Sequence, residues 1–276
     1  MSIADHHCHH RLRTLDCVGF ICVLALPLFA SAETNNGEGR PAERLADQIR
    51  ADFRYHYSAK PLGEVAIGFG ISALLANSNA DAEIREYFQD ELQNQTGDDL
   101  ADLFTDVGDL AQPLFSVPIY FGTMWLGNYN GKPETAAARW GANSLRAVLV
   151  GTPEFVTLAY VSGGQRPEEG EPGWDPFDDN NGVSGHAFFG AVPIITAAKL
   201  TDRRWLWNTL YVTSTLPALA RVYEDKHYFS QVFMGWWLAH SAARMVEHTN
   251  SGSESAVRVS PLFVPDGGGL QVSIRF

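Results

Sequence analysis

Residues 181–192 read NGVSGHAFFGAV. A polar, glycine-rich turn runs directly into apolar residues. NNGVSG is turn chemistry, and the following run, AFFGAVPIITAAKL (187–200), is long and apolar enough for a buried helix. Ser184, Gly185 and His186 are therefore expected in the first turn of that helix. The unpaired N–H groups and the positive dipole end of a helix start make an anion site, and a glycine there lets a ligand approach the backbone closely. An N-cap role alone accounts for the serine. It does not account for the histidine.

Outward from this junction the chain reads as helices. Residues 42–57, 63–78 and 81–93 have helical patterns, and 98–127 reads as two helices divided near Pro113. Residues 133–163 start with a favourable Pro-Glu pair and are expected to break near Gly151–Pro153. A long polar loop, 163–185, follows, and its acids (Glu168, Glu169, Glu171, Asp175, Asp178, Asp179) read as a solvated face. Three further helical stretches are expected at 185–200, 203–222 and 228–248. The tail alternates around PDGGG and reads as a β-hairpin. The expectation is one all-α domain over 33–250, with a short C-terminal β-hairpin tail over 251–276.

The first 32 residues stand apart. Arg11 and Arg13 precede the apolar run VGFICVLALPLFA and then Ala30-Ser31-Ala32, the pattern of a secretory signal peptide. All three cysteines (Cys8, Cys17, Cys22) lie in it. The remainder thus has neither a thiol nucleophile nor a Cys-based metal site. Its net charge is −12, which disfavours nucleic acid and anionic bilayers as partners. The apolar stretches after residue 32 read as core helices, so no transmembrane segment is expected in the mature chain. The composition leaves the oligomeric state open. His56 and His248 read as surface residues, and His240 as a core histidine with a satisfied ring.

Polar residues recur at the expected helix ends. Arg166 follows one helix, and Ser184-Gly185-His186 opens the next. Arg221 closes a third, and His227 opens a fourth. Brought together, two guanidiniums and helix N-terminal amides form a receptor for a tetrahedral oxyanion. Two histidines beside it divide the work of nucleophile and general acid.

These residues carry a resemblance. The segments AYVSGGQRP (159–167), VSGH (183–186) and ARVYEDKHYFSQ (220–231) resemble, in order and spacing, the K-x6-R-P, P-S-G-H and S-R-x5-H-x3-D motifs of the type 2 phosphatidic acid phosphatase (PAP2) superfamily. That superfamily includes bacterial acid phosphatases and vanadium haloperoxidases, and its soluble periplasmic branch fits best. The resemblance implies a helical bundle and a phosphatase that needs no metal or other cofactor. It implies that His227 attacks phosphorus and that His186 protonates the leaving oxygen and then activates water. Arg166, Arg221, Ser184 and the Gly185 amide would hold the phosphoryl oxygens. The substrate would be a phosphate monoester or pyrophosphate, either a lipid phosphate or a small soluble ester, and the location a bacterial periplasm. Three positions depart from the pattern: Ala159 for the lysine, Val183 for the proline, and Gln231 for the aspartate. The amide oxygen of Gln231, four residues after His227 on a helix, can still accept a hydrogen bond from the ring but supplies no charge. Two alternatives follow from these departures: a non-catalytic phosphate or lipid-phosphate binder, and a vanadium-dependent haloperoxidase.

Overall fold

In a computed structural model of the chain, residues 41–251 are described, together with the backbone of 257–264 and 267–274. The expected signal segment 1–32 lies outside the described residues. Residues 41–251 are all-α. Ten helices are present among the described residues: α1 (Pro41–His56), α2 (Ala59–Ala76), α3 (Ala80–Asp90), α4 (Gln95–Leu110), α5 (Pro113–Tyr129), α6 (Ala136–Ser162), α7 (Gly185–Lys199), α8 (Arg204–Thr213), α9 (Leu216–Tyr223) and α10 (Phe229–Asn250).

The centre is built from α6, α7 and α10. Helices α7 and α10 pack against each other and both pack against α6, while α2 lies on α10 and α5 lies on α6. Phe155 of α6 stacks on Phe188 of α7 at the core, and Phe189 meets both edge-on, with ring centroids 4.9–5.6 Å apart. Glycines set how closely the helices approach. A Cβ on Gly235 of α10 would lie 2.5 Å from the Ser184 carbonyl oxygen, at the start of α7. One on Gly151 of α6 would lie 2.8 Å from the Phe188 ring.

That contact explains the first departure from expectation. Helix α6 runs unbroken through Gly151–Pro153. Gly151 serves the approach of α7 rather than a turn. Pro153 removes one N–H donor, but burial of this helix against α1, α5, α7 and α10 keeps it continuous. The second departure is the reverse. The stretch 203–222 is two helices, parted at Ser214 and Thr215. Proline suits the first turn of a helix, and Pro217 opens α9 there. The buried Ser214 hydroxyl donates to the Tyr211 carbonyl (2.6 Å) and accepts from the Trp236 indole (2.9 Å). The third concerns His56, which is fully buried and bonded through Nε2 to Glu154 Oε2 at 2.8 Å. Nearby, Arg146 and Asp52 form a second buried pair at 2.6 Å. Both pairs join α1 to α6, an embedding that local sequence does not announce.

Helix α2 is long and apolar enough to cross a membrane by length and composition, and 28% of it is buried. Leu62, Ile67, Ile71 and Leu74 of α2 are exposed, as are Leu114, Phe115, Ile119 and Trp125 of α5. Gly235 makes a direct test of the packing. A Gly235→Val chain is expected to lose about 2–3 kcal/mol by overpacking against a backbone oxygen. Urea denaturation checks this, and an unchanged midpoint would refute the close α7–α10 approach.

Candidate active site

The loop between α9 and α10 is held from outside. Asp225 has a left-handed backbone (φ 55°), an unfavourable state for a residue with a side chain. Arg85 of α3 grips its carboxylate through two bonds of 2.6 and 2.7 Å. The turn sends the N–H groups of Lys226 (2.9 Å) and His227 (3.1 Å) back to the Arg221 carbonyl oxygen. Arg221 and His227 are thereby tied through one backbone loop. Asp81, buried, accepts the Ser230 N–H at 2.8 Å and its hydroxyl at 2.5 Å, satisfying donors at the start of α10. Burial pushes the Asp81 carboxyl up, and the two Ser230 bonds oppose that shift.

His227 and Gln231 form the buried heart of the site. The two side-chain atoms His227 Nδ1 and Gln231 Oε1 are 2.7 Å apart. The same Oε1 accepts the Tyr228 N–H at 3.2 Å, and Gln231 Nε2 donates to the Gln165 carbonyl oxygen at 2.7 Å. This second bond fixes which end of the amide faces the ring. An amide oxygen only accepts, so Nδ1 carries the ring proton and Nε2 keeps the lone pair. Gly164 leaves room for the amide, since a Cβ there would sit 3.1 Å from Gln231 Nε2.

The other expected residues converge on this histidine. Burial first, then Arg166, Arg221 and His186, hold the His227 imidazole well below its ordinary range, while the Gln231 bond opposes them. His227 is therefore the neutral imidazole, protonated at Nδ1 alone, at neutral pH. Arg221, itself mostly buried, donates Nη1 to Glu224 at 2.5 Å. Its Nε is buried without a hydrogen-bond partner among the described residues. Arg166 donates Nε to Asn181 Oδ1 at 3.1 Å and lies 4.0 Å from Glu168. Ser184 is the N-cap of α7, accepting from the Ala187 N–H at 3.5 Å, and its own N–H donates to the Gln231 carbonyl oxygen at 3.0 Å. Gly185 has ordinary space around it, with the nearest atom to a built Cβ at 3.7 Å. Internal packing does not demand a glycine there.

Several residues of the site were not foreseen. Asp109, near the end of α4, lies 2.8 Å from His186 Nε2. Burial and Arg221 lower the His186 imidazole, while Asp109 and Glu224 pull it back up. Glu224 is three residues from Arg221, a spacing that helix geometry makes legible. Asp109 is 77 residues from His186, and no local pattern points to it. Lys226 pairs with Glu168 at 3.2 Å and is partly exposed. Ala159 is buried in the apolar cluster with Phe155 and Val183, so this position contributes no cation. The loop acids are used within the protein: Glu169 accepts the Arg166 N–H at 2.9 Å and Asn181 Nδ2 at 3.1 Å. His240 bonds the Tyr211 hydroxyl. Burial first, then Lys199 and Arg244, push its imidazole down to about 4.

Residues 146–251 match the family model of the PAP2 superfamily. Neither a curated protein nor a solved structure matches the chain significantly.

The titration of the buried histidines fixes the sign of the acid response. A histidine held neutral in the folded state and free to protonate when unfolded costs stability as pH falls below its unfolded value, about 6.5. Stability is therefore expected to fall between about pH 6.5 and 4. His240→Gln, which keeps a partner for Tyr211, should remove on the order of 1–2 kcal/mol of that fall after allowance for partial exposure. Urea unfolding at stepped pH reads the slope, and an identical slope in the variant would contradict the assignment.

Proposed function

From the PAP2 superfamily membership of residues 146–251, we propose that this protein is a secreted phosphatase acting through a phosphohistidine. Its substrates are phosphate monoesters or pyrophosphates, borne by a lipid or a small soluble molecule, and its compartment is the periplasm reached through the 1–32 signal segment. The reading includes a tail that closes as an antiparallel hairpin, Val257–Val264 against Gly267–Ile274.

One observation carries the proposal. A buried, neutral histidine with its lone pair on Nε2 lies within electrostatic reach of two arginines, one with a buried Nε donor that has no partner among the described residues. An anion between the guanidiniums would satisfy that donor and offset the mutual repulsion of the two cations. In the reaction, His227 Nε2 attacks phosphorus as the leaving oxygen departs with a proton from His186. Water then loses a proton to His186, attacks the phosphohistidine and releases phosphate. Arg166, Arg221, the Ser184 hydroxyl and the Gly185 amide stabilise the charge spread over the phosphoryl oxygens. In phosphoryl transfer, stabilisation of that charge by fixed donors and cations does most to lower the barrier.

The departures from the motif set the rate. Gln231 orients His227 but gives the cationic phosphohistidine no counter-charge. A charged acceptor bonds about twice as strongly as a neutral one. Ala159 withholds a further cation. Slow turnover is expected rather than none.

Purified protein lacking residues 1–32 is expected to hydrolyse p-nitrophenyl phosphate and to trap phosphate on His227 under acid quench. His227→Ala should fall by at least about 10³-fold. Absence of hydrolysis in both proteins from about pH 4 to 8 would overturn the enzyme reading in favour of a phosphate binder. Bromide oxidation with vanadate and peroxide would instead mark a haloperoxidase.

A further inference from the structure

The three motifs leave one contact of the site without a role. Asp109 belongs to α4, outside the matched segment 146–251, yet its Oδ1 lies 2.8 Å from His186 Nε2. We propose that Asp109 is a positioning residue for the acid/base histidine: its carboxylate holds the Nε2–H of His186, so that the ring gives and takes its working proton at Nδ1. This rests on the phosphatase reading above.

The geometry constrains the ring on two sides. A carboxylate only accepts hydrogen bonds, so Nε2 carries a proton whenever that contact is made. Gly108, the residue before Asp109, leaves space for the imidazole. A Cβ there would sit 2.9 Å from His186 Cδ2. Helix α4 ends at Leu110, so the histidine meets the negative end of its dipole as well as the carboxylate, and both favour an imidazolium. The charged and titratable groups that act on His186 come from three places: Asp109 on α4, Arg221 and Glu224 on and just after α9, and His227 before α10. Burial and Arg221 drive a proton off the ring, and Asp109 and Glu224 resist. Of these charged groups, only Asp109 is hydrogen-bonded to the ring among the described residues. Without its charge, no group bonded to the ring would resist the loss of the proton that the acid must donate.

The proton balance is simple. As the His227 Nε2–P bond forms and the bond from phosphorus to the leaving oxygen breaks, Nδ1–H of the His186 imidazolium passes to that oxygen. His186 is left neutral, protonated at Nε2 and bonded to Asp109. In the second half, water gives a proton to Nδ1 as its oxygen bonds phosphorus and the N–P bond breaks. The imidazolium is restored. The counter-charge thus lies behind the acid, while the nucleophile is backed by the uncharged Gln231.

Asp109→Asn keeps an acceptor oxygen and removes the charge, and the side chain is 60% exposed, so the fold is not at risk. Two esters separate the roles. p-Nitrophenolate leaves without a proton, whereas the alkoxide of glycerol phosphate needs one. The variant is expected to lose about 10- to 100-fold in kcat/KM on glycerol phosphate and less than about threefold on p-nitrophenyl phosphate. Nitrogen NMR of histidine-labelled protein gives a readout independent of turnover. Neutral His186 should be the Nε2–H tautomer in the parent chain, and its titration midpoint should fall in Asp109→Asn. Equal losses on both esters, or an unmoved His186 midpoint, would overturn the proposal. An inactive parent chain with a shifted midpoint would overturn the phosphatase reading, and with it the acid role, while leaving the Asp109–His186 coupling measured.

Discussion

The site depends on one buried amide. Gln231 joins all three motif segments: its Nε2 bonds the Gln165 carbonyl, its backbone oxygen accepts the Ser184 N–H, and its Oε1 meets His227. An aspartate at this position has no donor for the Gln165 carbonyl. The chain exchanges a negative charge for a side-chain cross-link between the loop before α7 and the start of α10. A buried carbonyl left unbonded would cost about 1–3 kcal/mol, so the exchange has structural as well as electrostatic consequences.

Around that amide, charges are arranged in local pairs rather than as a uniformly positive bowl. Arg221 meets Glu224, Lys226 meets Glu168, and His186 meets Asp109. Glu224 and Glu168 limit the repulsion among closely set cations, and Asp109 does so once His186 is protonated. The Nε of Arg221, without a partner among the described residues, is the exception, and an oxyanion there would gain most. The site is held from outside by α3, through Arg85 on Asp225 and Asp81 on Ser230, and from below by the α7–α10 contact at Gly235.

Much of this was legible in the residues. The division of α4 from α5 at Pro113, the N-cap at Ser184 and the His227–Gln231 pairing follow from local rules of proline placement, capping and four-residue helical spacing. The unbroken α6 and the divided α8 and α9 did not follow. Gly151 and Pro153 carry the composition of a break, but burial against α7 outweighs local preference. His56 sits in a polar-looking helix, and only its partner Glu154, 98 residues away, makes its burial intelligible. Asp109 is the same case at the site itself.

The sequence alone therefore determined the helical class, the helix starts of the candidate site, and the candidates Arg166, Ser184, Gly185, His186, Arg221, His227 and Gln231, because each is encoded within a turn or two of chain. Tertiary structure alone decided which of these meet, which way the Gln231 amide points, and which carboxylate stands behind His186. Those outcomes depend on contacts between residues tens of positions apart, and a local pattern of spacing and capping carries no information about such distances.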